Sequence, residues 1–168
     1  TNMARIRKLE IYNFRSIQKL VWLPSANMNC LVGPGDSGKS TVLDAIDWCL
    51  GARRNLPVTD ADFYNMSMDE EIVVRATIGE LEDGLKSLDT YGPFLLGLTK
   101  EGNLEDEPLD GSETVLTIQL TIADDLEPQW SLTSSRAEAQ GLVRGPTWSC
   151  RETTPEAPQQ SKGGDTRR

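Results

Sequence analysis

Residues 33–40 read GPGDSGKS, with Gly33 and Gly38 framing the stretch and Lys39 and Ser40 following directly. The spacing fits G-x-x-x-x-G-K-[ST] without a mismatch. Each residue type has a chemical reason to be there. Glycines let the backbone turn so that successive N–H groups point inward at phosphate oxygens. A side chain at Gly38 would collide with the bound phosphates. A helix beginning at this point aims the positive end of its dipole at them. Lys39 would reach the terminal phosphates, Ser40 would put its hydroxyl on Mg²⁺, and Thr41 would add a phosphate contact. Pro34, Gly35, Asp36 and Ser37 complete the loop. Asp36 is the odd member, because an acid repels polyphosphate, and its carboxylate is expected to point to solvent.

A phosphate loop works only between a strand and a helix. Upstream, MNCLV at 28–32 is a short apolar run and reads as a buried strand, with Cys30 as a packing residue. Downstream, a helix is expected over 39–50, its inner face formed by Val42, Leu43, Ile46 and Leu50 and its end marked by Gly51. Cys49 reads as a second packing residue. Before the loop, 5–12 and 17–23 alternate as strands around a turn, NFRS, at 13–16. After it, 52–65 crosses the surface, with Thr59 or Asp60 capping a short turn. A strand is expected over 71–78. Leu81, Leu85 and Leu88 suggest a short amphipathic helix or turn. Acidic residues 99–113 read as an exposed loop. Residues 114–125 show the cleanest alternation, with Leu116, Ile118, Leu120 and Ile122 inward and Thr117, Gln119 and Thr121 outward, and 129–135 is its hairpin partner. The polar stretch 150–168 lacks Leu, Ile, Val, Phe and Met and reads as disordered.

Composition narrows the function. The chain has 168 residues, which suits one domain, and a net charge of −9, which argues against a nucleic-acid clamp over its whole surface. With no histidine, His-based metal sites and Ser-His-Asp triads are ruled out within this sequence. The three cysteines form no Cys-x-x-Cys pair, which fits a reducing, cytoplasmic setting. No apolar run approaches a membrane span, and the first residues have no signal-peptide core.

About thirty residues precede the loop, enough for two strands, whereas in small-molecule kinases the loop follows the first strand almost at once. LEIYNFRSIQKLVW followed by NCLVGPGDSGKSTVLDAI resembles the opening of the ABC-type ATPases of the SMC and RecF kind. Those families usually carry G-x-N-G-x-G-K-S, and here Gly35 and Asp36 stand where Asn and Gly are commoner. This variant loop, with DADFYN at 60–65, is similar to the OLD (overcoming lysogenization defect) family, which joins an N-terminal ABC ATPase to a C-terminal Toprim nuclease. The resemblance covers about 3–148 and is strongest over 5–65. It implies an α/β fold with α+β character: the N-terminal lobe of an ABC-type P-loop ATPase, with a mixed β-sheet, the Walker A helix and an antiparallel β subdomain. It implies ATP and Mg²⁺ as cofactors, the loop 33–41 as their site, and Arg15 and Ser16 near the phosphates. For the intact family protein it implies self-association and DNA as a partner, with no membrane.

Other parts of an ABC ATPase have no match in this sequence. The best imitation of a Walker B strand, LTIADD at 120–125, alternates like a half-exposed strand, whereas Walker B belongs in a buried parallel core. A signature motif and a Toprim acidic cluster are likewise not found, and nothing selects among Gln119, Gln129 and Gln140 as a Q-loop glutamine. The expectation is a partial ATP-binding lobe over 1–148, a non-native tail over 149–168 and a truncated product. Its alternatives are a nucleotide-dependent regulatory module completed by another chain and, less in keeping with the early strands, a P-loop kinase.

Overall fold

The computed structural model describes residues 4–53, 55–86 and 91–142. The expected tail at 149–168 and Leu88 lie outside the described residues. Alternation of apolar and polar residues produces the main sheet. Strands β1 (Arg5–Phe14), β2 (Ile17–Trp22), β3 (Ile72–Gly79), β4 (Leu96–Leu98), β5 (Leu104–Glu105), β6 (Glu113–Ile122) and β7 (Pro128–Thr133) form a seven-stranded sheet. Its order is β2-β1-β3-β6-β4-β5, and β7 pairs with β6 beside β4. Every ladder among the described residues is antiparallel.

One face of the sheet carries the core. Leu9 and Ile11 of β1, Ile72, Val74 and Ala76 of β3, and Leu120 and Ile122 of β6 are all buried. Helix α1 (Lys39–Leu50) lies across them. Its buried residues are Thr41, Val42, Ala45, Trp48 and Cys49. This corrects the expected inner face, because Leu43 is 60% exposed. The indole of Trp48 sits against Phe14 at a ring separation of 5.1 Å, and its carbonyl accepts a bond from Trp130 Nε1 of β7 at 3.1 Å. Those contacts turn the helix so that Trp48 and Cys49 face the sheet, and Ile46 and Leu50 flank the core.

The other clear correction concerns residues 28–32. They form no strand and are exposed throughout, with Met28 at 91% and Val32 at 87%. An apolar run becomes a buried strand only beside a partner that accepts its hydrogen bonds, and no strand among the described residues pairs with it. Cys30 is therefore exposed while Cys49 is buried. In the native protein a thiol reagent such as iodoacetamide is expected to modify Cys30 quickly and Cys49 only after unfolding, as read by peptide mass spectrometry. Equal rates at the two would contradict this placement.

Smaller departures have local causes. Thr117 points away from the helix yet is buried, and its hydroxyl is satisfied there by that of Thr77 directly across the β3–β6 ladder at 2.9 Å. Residues 83–86 form a 3-10 turn with Leu81 buried ahead of it. The acidic stretch 99–113 includes β5, which pairs with β4. Phe94, Leu95, Leu116, Leu132 and Leu81 make a second apolar cluster, closed by the short helix α2 (Ser135–Ala139). Ser134 caps that helix, its hydroxyl accepting from the Ala137 amide at 3.0 Å.

Candidate nucleotide site

The β1–β2 hairpin is the first wall of the site. Phe14 pairs with Ile17, so the turn is Arg15–Ser16, tighter than the expected 13–16. Two non-glycine residues flank Phe14 with positive φ, Asn13 at 57° and Arg15 at 50°. Such backbones are costly for L-residues and persist only where the surroundings fix them. The surroundings do so here: Asn13 Nδ2 donates to the Glu70 carbonyl, and the Arg15 amide donates to the Asp62 carbonyl at 2.8 Å. Asp62 belongs to a one-turn 3-10 helix, Asp60–Asp62, which Thr59 caps reciprocally, as the sequence suggested.

The loop is the second wall. Residues 33–37 are exposed, including Asp36. Asp36 has φ 58°, a left-handed value that suits glycine and that aspartate tolerates better than most residues. Gly38 has φ 83°, the left-handed backbone that favours glycine, and a Cβ there would sit tightly at 3.2 Å from Ser16 Oγ. Gly33 is crowded too, since a Cβ would come within 2.7 Å of Ser37 Oγ. Gly35 has open space around it and no such requirement. The Lys39 ammonium donates to the Gly33 carbonyl at 2.8 Å, to the Pro34 carbonyl, and to Ser37 Oγ at 3.0 Å. It closes the loop upon itself.

Helix α1 starts directly after Gly38. No side chain caps its first turn and no acid lies within it. Its leading N–H groups and dipole are thus left without a side-chain acceptor and would suit an anion. Ser40 is exposed at this end, and Thr41 is buried with its hydroxyl 3.4 Å from Ser16 Oγ. Arg15, Ser16 and residues 35–41 line one cavity of about 460 Å³. A second, of about 680 Å³, runs from Gly33, Pro34 and Lys39 along β2 to Leu31, Val32 and Tyr64. The sequence-selected residues from Arg15 to Thr41 are thus spread over two cavities that share Ser16, Ser37, Gly38 and Lys39, with Gly33 and Pro34 lining only the second. Gln119, Gln129 and Gln140 line neither cavity, and Gln119 instead accepts from Arg75 Nε on the far face of the sheet. No group of three or more acids and cysteines among the described residues forms a metal cage.

The arrangement missed by sequence reasoning is around Arg15. Its Nε donates to Asp62 Oδ1 at 2.8 Å and its Nη1 to Asp44. The guanidinium also lies over Phe14 and Trp48, at 4.9 and 5.3 Å from the ring centres. Burial draws the Arg15 pKa down, but the bonds and charges of Asp62 and Asp44 outweigh it and leave the group raised above its ordinary value. Nothing in the spacing of positions 15, 44 and 62 signals this contact.

Comparison with known proteins fits this geometry. Residues 5–78 match the family model of the RecF/RecN/SMC N terminal domain. The DNA replication and repair protein RecF of Prosthecochloris aestuarii is 34% identical over 65 residues, which are 39% of this chain and 18% of that protein. Structural maintenance of chromosomes protein 5 of Arabidopsis thaliana is 39% identical over 53 residues, covering 32% of this chain and 5% of that one. Structural maintenance of chromosomes protein 1 of Saccharomyces cerevisiae is 40% identical over 55 residues, 32% of this chain and 4% of its own. The chain thus spans less than a fifth of each of these relatives. A solved structure from work on ATP-driven dimerization and DNA stimulated activation of SMC ATPases superposes with a TM-score of 0.50 at 22% identity. That match covers 82% of this chain and 76% of that one, and it shows the fold: the N-terminal ABC-type lobe. No helix among the described residues is long and apolar enough to cross a membrane.

Proposed function

We propose that this chain binds ATP with Mg²⁺ as the N-terminal lobe of an ABC-type ATPase of the RecF and SMC kind, and that the groups activating water lie outside the described residues. One observation carries the reading: the uncapped α1 N-terminus, the left-handed Gly38 and the Lys39 ammonium meet at one cavity. Gly33, Pro34, Gly35, Asp36, Ser37 and Gly38 would wrap the phosphates, Lys39 would neutralise them, Ser40 would offer its hydroxyl to Mg²⁺ and Thr41 would add a phosphate contact. When bound, Mg²⁺ supplies charge neutralisation at the phosphates. β6 runs antiparallel to all three strands it pairs with, β3, β4 and β7, and residues 123–125 leave the sheet in a turn, a poor setting for a Walker B acid.

The variant loop and DADFYN favour an OLD-like, ATP-dependent DNA endonuclease as the parent enzyme. DNA and a second copy of the lobe are its partners in this reading. The exposed apolar run 28–32 favours a closely related alternative, in which another chain or segment completes the site. Equilibrium binding and steady-state hydrolysis of ATP by this chain test the proposal. The expected result is saturable, Mg²⁺-dependent binding with hydrolysis near background. Absence of binding overturns the nucleotide site, and robust turnover overturns the claim that the hydrolytic groups lie elsewhere.

A further inference from the structure

The two carboxylates on Arg15 are unequal. Asp62 is rigid: its side chain is 11% exposed, and Oδ2 accepts from the Thr59 amide at 2.9 Å while Oδ1 takes Arg15 Nε. Its carbonyl also holds the Arg15 amide, so the side chain and backbone of one residue both grip the strained turn. Asp44 is different. It stands on α1 one turn beyond Ser40, its side chain is 47% exposed, and it holds Arg15 through Nη1. Nη2 of Arg15 has no hydrogen bond among the described residues. The guanidinium is thus held at Nε by Asp62 and packed against two rings, with Nη1 and Nη2 as its outer edge, and Arg15 is one of the residues lining the cavity at the loop.

We propose that Asp62 is the fixed anchor of Arg15 and Asp44 an exchangeable carboxylate that polyphosphate displaces, so that Asp44 sets the nucleotide affinity of the site. The proposal rests on the nucleotide reading above and adds its regulation. A half-exposed ion pair is weakly held, whereas phosphate offers the same guanidinium more charge and a bidentate geometry. The buried, doubly bonded Asp62 cannot be exchanged at similar cost. Asp44 is thereby a positioning residue: it holds Arg15 ready in the nucleotide-free protein and must release its outer edge on binding.

Calorimetric titration with Mg·ATP of wild type, Asp44→Asn, Arg15→Ala and the double variant tests this. Asparagine keeps the size and an acceptor oxygen but removes the charge, and at a half-exposed helix position it leaves the fold intact; Asp44→Ser provides a second variant. Asp44→Asn is expected to tighten binding about three- to tenfold in the wild-type background and to have no effect when Arg15 is alanine. Unchanged affinity in both Asp44 variants overturns the proposal. So does equal tightening in both backgrounds, which would mean simple repulsion between Asp44 and phosphate. A wild type that binds no nucleotide overturns this proposal and the site together, whereas normal wild-type binding with unaltered variants overturns this one alone.

Discussion

Lys39→Ala is expected to weaken Mg·ATP binding by roughly ten- to a hundredfold, the range given by losing a hydrogen bond to a charged group worth about 1.5–3 kcal/mol. In the nucleotide-free protein the ammonium bonds to the carbonyls of Gly33 and Pro34 and to Ser37 Oγ. Phosphate oxygens offer it full negative charge instead of carbonyl dipoles, so the amine should transfer to them on binding. The nucleotide-free loop contacts are exposed, so their loss should move the melting temperature little in the absence of ligand. The measurement is thermal stabilisation by Mg·ATP, supported by calorimetric titration. Equal stabilisation of wild type and variant would remove Lys39 from the site.

Phe14→Ala is expected to have the largest effect on stability, about 3–5 kcal/mol, as for other buried aromatic truncations. Phe14 is fully buried, packs against Trp48 with the rings tilted by 55°, and forms an isolated bridge with Phe63. It thus joins β1, α1 and the segment carrying Asp62. Against a total stability of about 5–15 kcal/mol for a typical domain, that is a large share. The ring also supports the Arg15 guanidinium and lies between two residues with positive φ. Its removal should therefore loosen the Arg15 turn as well as the core. Urea denaturation of wild type, Phe14→Leu and Phe14→Ala gives the readout. Leucine, which refills part of the space, should recover part of the loss. A cost below about 1 kcal/mol for alanine would show that Phe14 does not join these elements.

Several elements could be read from the sequence because their signals are local. Helix α1 occupies 39–50 as expected: Gly38 before it is left-handed at φ 83°, and Gly51 after it leaves the helix extended, at a place where a Cβ would lie 2.3 Å from the Asp47 carbonyl oxygen. β1, β3 and β6 follow their apolar alternation to within a few residues, because a period of two needs only one buried face. The inner face of α1 was less legible. Leu43 fits the helical period but falls outside the surface that Phe14 and Trp130 define through Trp48. The run 28–32 failed for a related reason. Hydrophobicity signals that a segment can be buried, while burial itself depends on a neighbouring strand.

By itself the sequence determined the glycine-rich loop, the helix behind it and the alternation of β1, β3 and β6, whereas the sheet expected to be mixed is antiparallel among the described residues. The loop, the helix and the alternation depend on φ, on the period of the side chains and on residue type, all of which are properties of neighbours along the chain. Only the tertiary structure decided what surrounds Arg15. Asp44 and Asp62 lie 29 and 47 positions away, and they reach the guanidinium because α1 and the capped turn at Asp62 both fold back onto the β1–β2 hairpin. Charges so far apart in sequence carry no pairing signal. Packing of Phe14, Trp48 and Phe63 brings them within bonding distance and gives one acid a buried, fixed place and the other a half-exposed one.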